Sequence, residues 1–339
     1  MNSKIYISSS PHFRFNSSTR NIMLGVLIAL IPECVMGIIL FGIPALIRII
    51  VSVASCILFE YLFQKITKQK VVIGNLSACV SGVLLALVCP STIPIWMIVI
   101  GAAVAMIIAK GLFGGIGSNV FNPALTGRAF MFLSFPAAMG ASWMAPKTVS
   151  VVDAISSATT LSAMKAGTFV VESDTYWQYF IGNRAGCIGE TSILLILISF
   201  AFLLFTRIID WRAPVAMVGT TFICSLISGE NVLMTLMTGG LVFGATFMVT
   251  DYATTPVTKP GRLIFGFGCG LITFLIRKFG GYPEGVMFSI LIMNTIAPFL
   301  NNLTVRMYGY GRKGNRRPNV TSIDREFGLE RDVITNGDD

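Results

Sequence analysis

Residues 153–160 read DAISSATT and offer four hydroxyls behind one carboxylate, in a chain that is otherwise mostly apolar. Two kinds of chemistry suit such a stretch. Asp153 can cap a short helix, its carboxylate accepting backbone N–H groups while the hydroxyls face water. Alternatively, one hydroxyl is a point of attachment for a carried group.

A second candidate is Asn119 with Asn122, inside KGLFGGIGSNVFNPALTGRAF at 110–130. Each amide supplies a donor pair and an acceptor, and on a helical turn residues three apart share a face. Together they suit the edge of a planar ring; equally, they cap the helix that begins near Pro123. Asp251, in MVTDYATTPVTKPGR at 248–262, is an ionisable group near a membrane boundary, which is a functional candidate. Equally, it reads as an ordinary loop acid paired with Lys259 or Arg262. Glu33 and Glu60 fall within or at the ends of apolar runs, with Glu190 and Glu284 on the opposite side. The chain shows no Ser-His-Asp order, no paired catalytic carboxylates and no nucleotide-type phosphate loop. Its seven cysteines include no C-x-x-C and read as small packing residues. His12 is the only histidine and cannot build a histidine metal centre, so no metal or iron–sulfur site is legible.

The elements that must position these residues are membrane helices. Of 339 residues, 54% are hydrophobic and 12% charged, about half the ~25% charged share of a soluble domain. Ten apolar runs approach the ~20 residues that cross a hydrocarbon core: 22–42, 45–64, 72–90, 94–110, 123–142, 186–206, 213–229, 231–250, 261–278 and 284–304. The first is too long for a signal-peptide core and has no small-residue cleavage site after it. The expected class is an all-α membrane protein with ten transmembrane helices. Its parts are a cytoplasmic segment 1–21, a five-helix unit 22–142, an extracytoplasmic loop 143–185, a second five-helix unit 186–304 and a basic cytoplasmic tail 305–339.

Lys and Arg are retained on the cytoplasmic side during insertion. With both termini inside, all but six of the 25 lie there; the exceptions are Arg48, Lys147, Lys165, Arg184, Arg277 and Lys278. The net charge of +9 is then mostly a topology signal. No aromatic-interleaved basic groove is present, so nucleic acid is not an expected partner, whereas the basic tail suits anionic lipid or an acidic protein. AKGLFGG at 109–115 and IRKFGG at 276–281 close the fourth and ninth spans alike. That spacing makes a repeat of five spans, and an odd number of crossings inverts the second unit. Inversion also accounts for Arg277 and Lys278 lying outside while Lys110 lies inside.

Further segments are SSSPHFR at 8–14, GGIGSNVFNPALTGRAF at 114–130, IGETS at 188–192, GATFMVTDYATTPVTKPGR at 244–262 and GGYPEGVMFSILIMN at 280–294. Together they resemble the RnfD family, the D-type membrane component of the Rnf ion-translocating electron-transport complex, which is related to the NqrB component of the sodium-pumping NADH:quinone reductase. The short amino-terminal segment favours the Rnf side. Asp153, Ser156, Ser157, Ala158 and Thr159 resemble the motif at which flavin transferases attach FMN through its phosphate to threonine, with Ser157 where the motif usually has Gly. The resemblance implies ten helices in two inverted halves, covalent FMN on Thr159, and in some members a riboflavin contacted from the Asn119 and Asn122 segment. It also implies Rnf partners A, B, C, E and G, with electrons arriving from the flavoprotein RnfG, and movement of Na+ or H+. The competing reading is a small-solute channel or transporter on the same inverted repeat, which would need polar residues at its span centres; those centres are mostly Ile, Leu, Val, Gly and Ala.

Overall fold

A computed structural model of the chain describes residues 18–140, 160–165, 174–281 and 284–309. Helix α1, Thr19–Phe41, starts where the Ser18 hydroxyl accepts the Asn21 N–H (3.3 Å) and stops at Gly42, whose φ of 74° ends the helix. Helix α2, Ile43–Ile66, follows at once with Pro44 in its first turn. Together with residues Val286–Thr304 of α14 (Val286–Gly309), these are the described helices long and apolar enough to cross a membrane unaided. On α1, Leu24, Ile28, Ile31, Val35 and Ile39 are exposed, while Gly25, Ala29, Glu33 and Gly37 face the protein. One face therefore meets lipid and the other packs.

The remaining elements are shorter or broken. A 3-10 turn at Ile73–Asn75 leads into α3, Ser77–Leu87; α4, Ile95–Ala103, runs on as a π-helical stretch, Val104–Gly111. Helices α5, Pro123–Ser134, and α6, Pro136–Gly140, share the run expected as one span at 123–142. Pro136 has no N–H to donate and restricts the residue before it, so the helix breaks at Phe135. Short α7, Thr160–Lys165, and α8, Thr175–Ile181, precede α9, Ile193–Phe205, and α10, Arg212–Ile227. The run expected at 231–250 is α11, Val232–Met237, then a break, then α12, Leu241–Phe243, continuing as a π-helical stretch, Gly244–Met248. Gly239, with φ 66° and the Arg277 guanidinium 2.9 Å from where a Cβ would stand, lies at that break. Helix α13, Lys259–Phe279, is capped by the Thr258 hydroxyl on the Gly261 N–H (3.2 Å). Among the described residues all elements are helical, apart from one antiparallel bridge between Pro90 and Cys187. This is an all-α membrane protein.

Lipid removes the hydrophobic drive between helices, so close packing must hold them. A Cβ on Gly82 would stand 2.7 Å from Val53 Cα, and one on Gly127 2.6 Å from the Gly101 carbonyl. Helix α3 thus rests on the backbone of α2, and α5 on that of α4. Gly266 and Gly270 of α13 meet the carbonyls of Ala213 and Met217 of α10 in the same way.

Candidate functional site

Polar side chains gather at both ends of the bundle. At one end, Lys110 Nζ, at the close of the π-helical stretch, sits 2.8 Å from Glu60 Oε1 on α2 and donates to Ser77 Oγ at 2.6 Å. Asn75 Oδ1 accepts both the N–H (3.0 Å) and the hydroxyl (2.8 Å) of Ser77, fixing the start of α3. Beside this cluster lies a cavity of about 310 Å³ whose lining includes Asn119, Asn122, Lys110, Ser77, Asp251 and Phe247. Its size is at the small end of ligand sites.

The two asparagines meet at this cavity on irregular chain rather than on a helical face. Asn122 is the N-cap of α5: its Oδ1 accepts the N–H groups of Ala124 (3.1 Å) and Leu125 (3.3 Å). Asn119 Nδ2 donates to the Phe121 carbonyl at 3.1 Å. The capping reading therefore holds for one oxygen of Asn122. Among the described residues it leaves Asn122 Nδ2 and Asn119 Oδ1 for a ligand. Asn294 of α14, which the sequence did not single out, accepts the Asn122 N–H at 3.2 Å with its amide oriented to donate to the Ile290 carbonyl (3.3 Å).

Asp251 enters the same cavity from the segment after α12. Its Oδ2 accepts from the Thr254 hydroxyl (3.1 Å) and its Oδ1 from the Ala253 N–H (3.5 Å). It pairs with neither Lys259 nor Arg262. Burial pushes its carboxyl above the usual range, against the opposing pull of Thr254, Ala253 and Lys110. Arg262 instead joins Arg212 on Asp210, at 2.8 Å and 2.9 Å.

At the opposite end, three arginines and two glutamates are packed together. Arg128 Nη2 reaches Glu284 Oε2 at 2.8 Å, its Nη1 stands 3.7 Å from Glu190 Oε1, and Cys187 Sγ accepts at 3.5 Å. Glu284 Oε1 accepts the Gly240 N–H (3.0 Å), capping the half-helix that restarts after the α11 break. Arg277 donates to the carbonyls of Thr235 (2.8 Å) and Thr238 (3.1 Å), satisfying the other side of the break. Arg184 does likewise for Thr191 (3.1 Å), Met237 and Glu190. Sequence reading missed Arg128; its signal was a cation inside an apolar run, within the segment already singled out for Asn119 and Asn122.

Thr159 and the rest of the 153–159 stretch lie outside the described residues. Helix α7, which begins at the next residue, docks on this charged end. Leu161 comes within 3.4 Å of a Cβ position on Gly239, and Lys165 donates to the Gly280 carbonyl. Glu33 joins neither cluster; its carboxyl is buried with both oxygens unpartnered.

Residues 6–309 match the model of the NQR2, RnfD, RnfE family. The chain is 41% identical over 306 residues, 89% of its length and 95% of the relative's, to the D subunit of the Na(+)-translocating ferredoxin:NAD(+) oxidoreductase complex of Acetobacterium woodii. It is also 41% identical over 313 residues, 88% and 94% of the two lengths, to the D subunit of the proton-translocating ferredoxin:NAD(+) oxidoreductase complex of Clostridium ljungdahlii. To the D subunit of the ion-translocating oxidoreductase complex of Stutzerimonas stutzeri it is 34% identical over 344 residues, 90% and 96%. A family match over nearly the whole helical bundle, together with full-length relatives, establishes that the chain belongs to the NQR2, RnfD, RnfE family.

Proposed function

We propose that this chain is the D-type membrane subunit of an Rnf ferredoxin:NAD+ oxidoreductase complex, bearing covalent FMN on Thr159 and relaying electrons across the membrane in step with Na+ or H+ movement. The observation that carries the complex assignment is identity of 41% along almost the full length of two subunits so named. Those two are named for different ions at equal identity, so overall similarity does not select between Na+ and H+. The implied partners are the other Rnf subunits A, B, C, E and G, above all the flavoprotein RnfG, with a flavin transferase and membrane lipid. The B-type component of a Na+-translocating NADH:quinone reductase is the neighbouring alternative within the family.

The finer architecture we propose is ten membrane crossings in two inverted five-helix halves, in the cytoplasmic membrane, both termini inside and the 143–185 loop outside. Paired contacts support the repeat. Lys110 bonds Glu60 on α2 and the start of α3; Lys278 bonds Glu230 after α10 at 3.0 Å, and its neighbour Arg277 bonds the break before α12. A cation closing the fourth or ninth span thus serves the same purpose at opposite ends.

Bound FMN would supply a carrier able to take two electrons and pass them on singly. The protein's part is placement. Docking of α7 through Leu161 and Lys165 would tether the acceptor stretch over the Arg277 end of the bundle. A second flavin, riboflavin, would suit the polar groups at the other end: Asn119 and Asn122 line a cavity of about 310 Å³ with an apolar wall that includes Phe247.

The test is ultraviolet fluorescence of the subunit on a denaturing gel, made in cells that contain the flavin transferase. The wild-type band should glow, Thr159→Ala should be dark, and Thr160→Ala should glow. A dark wild-type band overturns the covalent assignment. Mass spectrometry of the 148–165 peptide gives the site directly.

A further inference from the structure

Gly25, Ala29, Glu33 and Gly37 recur every fourth residue of α1 and form one stripe. The stripe is a close-packed seam against α9 and its flanks. Gly25 meets Ile208, the Ala29 carbonyl accepts the Ser199 hydroxyl (2.7 Å), and a Cβ on Gly37 would stand 2.5 Å from Ile188. Small residues let the backbones approach. Glu33 is the exception: in the middle of this seam stands a carboxyl 3% exposed, beside the Ser199 hydroxyl but with neither oxygen held by a hydrogen bond of good geometry.

Among the described residues, nothing ionic around it compensates a negative charge. Helix α9 has no titratable residue, and α3 offers only Cys79. On α2, Arg48 is spent on the carbonyls of Ile93 and Pro44, both at 2.8 Å, and Glu60 is held by Lys110. Of the remaining titratable groups on that helix, Cys56 and Tyr61 carry no positive charge, and Lys65 lies in the last turn. On α1 itself the neighbours are Cys34 and, in the first turn, Arg20. Ser199 has one hydroxyl proton, and it goes to Ala29, so toward the neighbouring Glu33 its oxygen is left to accept rather than donate. An isolated carboxylate buried in apolar surroundings neutralises rather than remain charged.

We propose that Glu33 is a proton-binding site in the seam between the two halves of the molecule, holding a neutral carboxylic acid in the closed bundle. Release breaks its O–H bond and passes the proton to water that enters when α1 and α9 part; closure reverses the step. A metal cation suits the place less well, since several oxygens would have to converge and the Ala29 carbonyl is already engaged. The inference rests on the packing of α1 against α9 and is independent of the flavin assignment.

Infrared spectroscopy of the assembled complex in lipid vesicles tests it, as the difference between wild type and Glu33→Gln. At neutral pH the expected difference is a carbonyl-stretch band of a protonated carboxyl that shifts in D2O and persists when NaCl replaces choline chloride. Glu33→Asp should retain such a band at a shifted frequency, which keeps the test open should the glutamine variant fail to assemble. Absence of a protonated-carboxyl band from Glu33 at neutral pH overturns the proposal. So does loss of the band on adding Na+ at fixed pH, which would make the group a cation ligand.

Discussion

Arg128 holds two withdrawn carboxylates at once. It lies between Glu284 and Glu190, with all three side chains largely withdrawn from solvent. Removing one partner of a buried ionic group strands the others, at a cost of roughly 3–5 kcal/mol. Arg128→Ala should therefore lower the thermal stability of the purified subunit sharply, while Glu284→Gln, which keeps an acceptor for Gly240, should cost less. Equal melting temperatures would show that the cluster is solvated. The aspartates respond to pH in opposite directions. Burial works against ionised Asp210, but the Arg212 N–H and the Arg262 and Arg212 guanidinium groups prevail and hold it below its ordinary value of 3.8. Its stabilising contribution is present above that value and is lost as pH falls through the lower folded one. Asp251 is displaced upward by burial, so its contribution is complete below 3.8 and is lost as pH rises through the higher folded value. Acid unfolding curves of Asp210→Asn and Asp251→Asn should shift in opposite senses relative to wild type. Of these residues, Asp251 and the asparagines were legible as polar groups in apolar sequence. The Asn122 cap was one of two open readings, because residue types alone do not say whether an amide faces its own helix or a cavity.

Among elements, the breaks carry more information than the helices. The apolar runs were readable from hydropathy, and the long helices fall where they should. Neither interruption was read from the sequence: 123–142 was expected as one span although Pro136 breaks it, and at 238–240 two glycines in an apolar run look like packing residues until Arg277 and Glu284 are seen bonding the freed backbone. Gly239→Val combines a positive φ with a clash on Arg277. Forcing a β-branched residue into that conformation costs about 1–3 kcal/mol, and the change should destabilise more than Gly186→Val, which meets open space. Similarly, Gly82→Val drives a side chain into the α2 backbone and should lower the yield of folded protein in detergent, read as the monodisperse fraction on size exclusion. An unchanged elution profile would mean that α2 and α3 yield easily.

For the whole molecule, the two cation–carboxylate pairs cited for the proposed inverted repeat differ in their surroundings. Lys110 and Glu60 are 5% and 6% exposed as side chains, whereas Lys278 and Glu230 are 33% and 35% exposed. A double-mutant cycle should return a coupling of several kcal/mol for the buried pair and about 0–1 kcal/mol for the exposed one. Similar couplings would argue against their different solvent contact. Sequence reading inferred the proposed repeat from a short echo between 109–115 and 276–281, yet gave no hint that the cations in it act by bonding carbonyls and carboxylates. That role explains five of the six basic residues that break the charge rule: Arg48, Lys165, Arg184 and Arg277 bond main-chain carbonyls, and Lys278 bonds Glu230. The surface proposed to look outward is accordingly muted in charge despite its cations, while the other surface keeps Lys65, Lys68 and Lys70 exposed. Among the described residues, an acidic protein would thus meet more uncommitted cations on the proposed inner side of the bilayer, and a docking partner's own charge would tell it which side that is.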